Sequence, residues 1–516
     1  MKLRIQQHNL AWLALLLLWP AAHSQLGAAS PALQATVNVL LWFDTEDYLL
    51  PADDDACRRL AEMLSQRGIR ATFKIVGEKA RVLERRGRRD VITALKKHDI
   101  AYHTDLHSVH PTPAEYLAPC DLLDGISEFV RREGGGAVDV RRIFGVKTLS
   151  CYGQPGSSWA PQAIAALKQI GVAPHGVSCY VDEGDHVGLK GKPFWYADAL
   201  VIYDMADNWT RMELHDPQAV EPANQKVSAI AERLRTEGGG LISIFYHPCE
   251  WVHREFWDGV NFRRGANPPR EQWRPPPQRS PEETEAAFQR FGQYMDHIRT
   301  IAGVRFVTAS DLPGIYPDPV RSGASRRDLQ ELAKRLLASE QGIDFQVIDH
   351  RAYSPADQFE LLTLALGQMI DAKTLLWPLP SRGLLGPDLP PPPAGALTEV
   401  SWPAFRDATL DVRDFMRVRQ RVPARVFVGA DAVPPLDFLR ALAWAFDYER
   451  VHGGLPESET VPLAKVHELL TARHVAADTP GLFGGWVIHK EDFRAPKILE
   501  VARLQAWTLK PALRSD

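Results

Sequence analysis

Cysteine is scarce, charge of either sign is nearly cancelled, and long apolar runs are all but missing from this 516-residue chain. Each shortage excludes a class of protein. The five cysteines, Cys57, Cys120, Cys151, Cys179 and Cys249, match no zinc-cluster spacing, and their odd number leaves at least one thiol unpaired in a monomer. Buried free thiols and two bridges both stay open. Lys plus Arg is 60 and Asp plus Glu is 64, a net charge of −4. A balance this close does not blanket a phosphate backbone, so nucleic acid is excluded as the main partner. With 45% hydrophobic and 24% charged residues the chain has enough apolar material for a sizeable core, which excludes disorder. Its 36 Gly and 39 Pro follow no collagen-like period.

The one long apolar run lies at the start. Lys2 and Arg4 precede Leu10–Ala22, and Ala22-His23-Ser24 places small residues where a signal peptidase reads. The run is shorter than the roughly 20 residues that span a bilayer. Residues 1–24 therefore read as a secretory signal peptide, with the mature chain starting near Gln25 in the periplasm or outside the cell. Its removal takes away Lys2 and Arg4 and shifts the net charge from −4 to −6. No cysteine follows the run, so no lipid anchor is indicated, and no stable membrane span is expected after cleavage.

Between residues 37 and 310 short apolar runs alternate with helical patterns. Candidate strands are Val37–Phe43, Ala71–Val76, Ile100–Tyr102, Arg142–Val146, Ala199–Tyr203, Leu241–Tyr246 and Arg305–Thr308. Amphipathic stretches such as Asp55–Arg67, Lys79–Lys97, Pro161–Ile170, Gln225–Glu237 and Glu282–Ile301 lie between most of them. Such alternation implies βαβ units and a largely parallel sheet, closed or nearly closed into a β/α barrel. Functional residues are then expected just after the C-terminal ends of strands. Residues 261–280, rich in Pro and Arg, read as a long loop. Beyond residue 322 helical patterns dominate. The expected division is a barrel over 37–315, a helical segment over 322–377, a Pro-rich linker over 378–393 and a helical domain over 394–516.

Three polar clusters follow three of these strands. Asp44-Thr45-Glu46-Asp47 ends the first, His103-Thr104-Asp105-Leu106-His107 the third, and His247-Pro248 follows Leu241–Tyr246. Clustered carboxylates repel unless a cation or solvent offsets them. Two imidazoles four residues apart, with a carboxylate from another strand, make a facial ligand set that leaves positions open on a divalent metal. Such a site lowers the pKa of a water towards about 7 and polarises a carbonyl oxygen. A neighbouring carboxylate would accept the proton of that water and a separate His would protonate the leaving group. The combination points to hydrolysis of an amide or ester.

These residues, over about 37–315, resemble the polysaccharide deacetylases, the NodB-homology domains of carbohydrate esterase family four. The resemblance implies a distorted (β/α)7 barrel of NodB type. It implies Asp44 as general base, Glu46 as metal ligand with Asp47 as its rival, and His103 and His107 as the other ligands, with His110 ranked below them. It implies His247 as general acid, tuned by Asp182 or, alternatively, Asp185. Zn2+ is the metal expected of two His and one carboxylate. The family's Arg-x-Pro motif is matched here by Gly153-Gln154-Pro155, so the Arg expected to orient the catalytic Asp is replaced by Gly153. Trp42, Tyr48, Tyr152, Trp159, Trp195, Tyr196, Trp251 and Trp257 lie near these loops, and a few of them would stack on sugar rings.

The C-terminal residues Phe405–Ala445 resemble pseudomurein-binding-type repeats, with Asp344–Leu366 as a partial copy. A wall-polymer binding module and a helical cap on the barrel both fit that pattern. The leading expectation is an exported, metal-dependent hydrolase that removes acetyl groups from a glycan. The alternatives are a non-catalytic glycan-binding protein with a degenerate barrel, and a hydrolase of a small non-peptide amide.

Overall fold

Val37–Thr45 forms the central strand, β1, of a computed structural model that describes residues 35–372, 376–393, 395–484 and 488–515. The expected signal peptide lies outside the described residues. Every residue of β1 is buried, and its period of two separates two environments. Val37, Val39, Leu41 and Phe43 pack outward in the core shared with the surrounding helices, whereas Leu40 and Trp42 pack inward with Val181, Ile202 and Leu241. A strand apolar on both faces belongs at the centre of a sheet covered by helices.

Parallel partners surround β1. It pairs with β2 (Thr72–Ile75), β7 (Gly240–Tyr246) and, along its first half, β8 (Val304–Val307). β2 pairs in turn with β3 (Asp99–Tyr102), and β4 (Ser178–Val181) pairs in parallel with β6 (Ala199–Ile202). β5 (Phe194–Tyr196) runs antiparallel to β6. Because the main strands are parallel, their C-terminal ends share one rim, where Asp44 lies level with Lys74, and Phe43 with Tyr246 just before His247.

The strands, expected in a closed or nearly closed barrel, form a largely parallel arrangement that does not close. Continuous ladders join β3, β2, β1 and β7, and separately β4 and β6. Among the described residues only single bridges connect the two groups: Tyr152 to Tyr102 and Tyr180, and Trp209 to Ser243. The physical reason lies in the fourth expected strand. Arg142–Val146 is the end of a helix, Leu122–Phe144, which Gly145 terminates in a left-handed conformation (φ 64°) after Arg141 and Arg142 in the last turn. The helix buries Leu122, Ile126, Phe129, Ala137, Val140 and Phe144 on one face. Three consecutive glycines, Gly134 to Gly136, obscure that period in the sequence. Gly136 is needed for close approach: a Cβ there would come within 2.8 Å of Asp105 Cγ. The place of the missing strand is taken by the short extended stretch around Tyr152.

Residues 320–463 build a second core around Phe359, Phe405, Phe438 and Leu442. The helices Arg326–Ala338 and Trp402–Arg419 each lead through a hairpin (Gln346–Ile348 with Arg351–Tyr353; Val426–Val428 with Asp431–Val433) into an 18-residue helix, Pro355–Ala372 and Pro435–His452. The region is thus a duplicated helix–hairpin–helix unit. Residues 378–393 lie across it, with Leu379 exchanging backbone hydrogen bonds with Ala324. The chain then returns to the barrel. The helix Pro496–Gln505 packs into the barrel's outer core, and Lys510–Pro511 adds an antiparallel strand to β5. Lys510 Nζ donates to Asp318 (2.8 Å) and Asp357 (2.8 Å), which ties the end of the chain to the second core. Among the described residues no helix is long and apolar enough to cross a membrane, and all five cysteines are free.

Candidate active site

Glu46, His103 and His107 converge at the rim, each with one ligand atom within 4.8 Å of the others, and all three are buried. Glu46 leaves β1 directly, and His103 leaves β3. The turn that follows is tight: Thr104 and His107 are left-handed (φ 63° and 56°), and the Thr104 hydroxyl accepts from the His107 N–H at 3.1 Å. That turn folds His107 back over His103, with ring centroids 4.9 Å apart.

Hydrogen bonds on the far side of each ring aim the other nitrogen at Glu46. His103 Nδ1 donates to the Gly153 carbonyl at 3.0 Å, leaving Nε2 at 3.7 Å from Glu46 Oε2. His107 Nδ1 donates to Ser108 Oγ (2.6 Å), which donates onward to Asp258 Oδ2 (3.2 Å). His107 Nε2 then faces Glu46 Oε2 at 2.9 Å. Support of this kind fixes the tautomer that a metal ligand needs. Glu46 Oε1 and His107 Nε2 are buried without a hydrogen-bond partner, a costly arrangement that a cation would relieve. Burial pushes the Glu46 carboxyl up, but His107, His103 and His247 outweigh it and hold it well below the usual carboxylate range, so it is anionic. Two imidazole nitrogens and one carboxylate fit Zn2+ or a similar divalent ion.

Asp44 stands beside this set. Its Oδ1 lies 2.8 Å from Lys74 Nζ and 3.5 Å from His103 Nδ1, and its Oδ2 lies 3.6 Å from His247 Nε2. His247 Nδ1 donates to Glu250 Oε1 at 2.9 Å, and Glu250 is paired with Arg211. Half-buried Phe245 and Phe256 flank the His247 ring edge-on, with centroids at 5.9 and 4.8 Å.

Several residues lie elsewhere than expected. Asp47 is not part of the Glu46, His103 and His107 group. Its Oδ1 accepts from the Leu49 N–H and its Oδ2 lies 3.0 Å from His253 Nδ1, because the chain turns away after Glu46 into the helix Pro51–Gln66. Asp182 does not hold His247. It accepts from Lys74 Nζ at 3.2 Å, and Glu250 occupies the position behind the imidazole. His110 is likewise elsewhere, 2.7 Å from Glu115. The eight aromatic residues considered for sugar stacking are all 5% exposed or less. They are core residues, packed among the apolar side chains of three buried clusters.

No family model matches the chain, and no curated protein matches it. Solved structures do. A Mycobacterium smegmatis structure assigned by name to the polysaccharide deacetylases shares 14% identity over 55% of this chain and 92% of its own, with a TM-score of 0.34. A family 4 carbohydrate esterase from Streptomyces lividans, in complex with acetate, shares 14% over 52% and 90%, with a TM-score of 0.26. The Puue allantoinase shares 12% over 58% and 99%, with a TM-score of 0.34. The chain is similar to these proteins over a little more than half of its length.

Sequence reasoning assigned no role to Lys74 or Glu250. A signal for Lys74 was present: Thr72-Phe73-Lys74-Ile75 is an apolar strand interrupted by one cation at an inward position. Glu250 follows His247 by three residues, the separation at which its carboxylate accepts both the N–H of His247 and its ring nitrogen.

Proposed function

We propose that the chain is an exported, metal-dependent hydrolase that removes acetyl groups, held as amide or ester, from a glycan. The observation that carries this reading is the convergence of Glu46, His103 and His107 with Asp44 and His247 beside them. A divalent cation held by the first three, Zn2+ by the chemistry of the donors, would supply Lewis acidity to the attacking water and to the acetyl carbonyl. The chain's own residues do the rest. Asp44 accepts the proton of the attacking water. His247 Nε2 gives its proton to the departing amine or alkoxide. Asp44 and His247 face the same small space at 3.6 Å, too long for a hydrogen bond to each other, so both atoms are available to substrate. Phe245 and Phe256 exclude water from one side of the acid.

Purified protein is expected to release acetate from a chitin-like or peptidoglycan-like substrate, to lose that activity to a chelator and to regain it with Zn2+. Hydrolysis that persists under chelation removes the metal from the reaction. A metal-loaded protein that frees no acetate from any acetylated glycan overturns the reading.

The acid has a measurable signature. Burial pushes the His247 imidazolium down, but the Glu250 hydrogen bond and the charges of Glu46, Glu250 and Asp44 outweigh it and hold the pKa at about 9. A raised pKa keeps the ring protonated through neutral pH, and the acid is lost as pH climbs past it. Glu250→Gln keeps an acceptor for Nδ1 but removes one negative charge. The alkaline limb of the kcat profile is expected to move to lower pH by about one pH unit. An unmoved limb would show that another group governs it.

A further inference from the structure

One buried cation at the rim has no part in the chemistry just described. Lys74 has no exposed side-chain surface, which is rare for lysine unless its charge is matched. Here it is matched on every side. Nζ lies 2.8 Å from Asp44 Oδ1 and 3.2 Å from Asp182 Oδ2, donates to the Val181 carbonyl at 3.0 Å, and sits 3.9 Å over the Trp42 ring. The parallel register places Lys74 directly opposite Asp44. The room for the ammonium comes from Gly153. A Cβ there would overlap Lys74 Nζ, and would come within 2.9 Å of Lys74 Cδ and 2.5 Å of Asp182 Oδ2.

We infer that Lys74 is the positioning residue for Asp44, and that residue 153 is glycine because the lysine occupies the space its side chain would need. The inference rests on the reading of Asp44 as the base. The ammonium binds Asp44 by one oxygen, Oδ1, and so leaves Oδ2 turned towards His247 and the reacting space. Without the cation, two carboxylates held against one Nζ would repel each other, and Asp44 would leave that orientation. Gly153 contributes twice: its carbonyl holds His103 and its missing side chain admits Lys74.

The test uses the full chain loaded with Zn2+. Lys74→Met is expected to lower kcat by about 10²-fold or more, with KM changed less than about threefold and the metal stoichiometry kept. Because Lys74→Met leaves two buried carboxylates without their cation, Lys74→Met/Asp182→Asn is made beside it. That pair of changes preserves the charge balance and is expected to fold and to remain as slow. The Cα–Cβ direction at Gly153 points at the same spot, so Lys74→Ala/Gly153→Arg returns a cation from the opposite side. It is expected to recover at least about tenfold of the kcat lost in Lys74→Ala, which a merely structural lysine would not produce. Wild-type kcat in the charge-balanced variant, or no gain from the returned cation, overturns the role of Lys74 and leaves the hydrolase reading standing. A metal-loaded wild type without activity overturns that reading, and the role of Lys74 falls with it.

Discussion

His107→Ala is expected to lose its divalent metal and to drop kcat/KM by on the order of 10³-fold, since a metal-held electrophile is worth several kcal/mol of barrier. The geometry gives His107 no substitute. It lies 3% exposed in a turn that only the left-handed residues Thr104 and His107 close, and its Nε2 has no hydrogen-bond partner. The nearest other imidazole in sequence, His110, is engaged with Glu115 and so cannot replace it. Removing the ring leaves Ser108 and Asp258 bonded to each other, so the fold is expected to persist. Metal analysis of the folded variant, with circular dichroism to verify its state, is the measurement. A variant that binds a full equivalent of metal would show that the ligand set is wrong. One that keeps activity without metal would show that the cation is not needed.

How much of this was legible in the sequence depends on what kind of force places each residue. Asp44, Glu46, His103 and His247 stand at the ends of apolar runs, with His107 four residues past His103. In a parallel sheet that pattern alone sends them to one rim, so local sequence suffices. Asp47 looks the same in sequence but turns away, because the direction of a side chain after a strand end is set by the next element, here the helix from Pro51. Asp182 was misplaced for a related reason. Its partner, Lys74, is 108 residues away, and nothing short-range marks that pairing. The helix Leu122–Phe144 was lost to its glycines, whose low helix propensity is overridden by the packing that Gly136 permits. The return of Pro496–Gln505 to the barrel core could not be read at all, since an amphipathic helix does not say which surface it covers.

Asp44→Asn is expected to lower kcat by about 10²- to 10⁴-fold while the metal stays bound, the range a positioned general base commands. The substitution isolates the proton acceptor. Asn has nearly the same shape and keeps an oxygen beside Lys74, but its amide takes no proton at neutral pH. Burial pushes the Asp44 carboxyl up, yet His103, Lys74 and His247 together hold it below its ordinary value, so the wild-type group is ionised and ready to accept throughout the neutral range. His103 and His107 keep the far-side hydrogen bonds that aim them at Glu46, none of which passes through Asp44. Loss of metal in Asp44→Asn would therefore place Asp44 among the ligands instead of beside them. Retained metal with wild-type turnover would assign the base to another group. Only slow turnover with full metal content is what an acceptor at 2.8 Å from Lys74 and 3.6 Å from His247 requires.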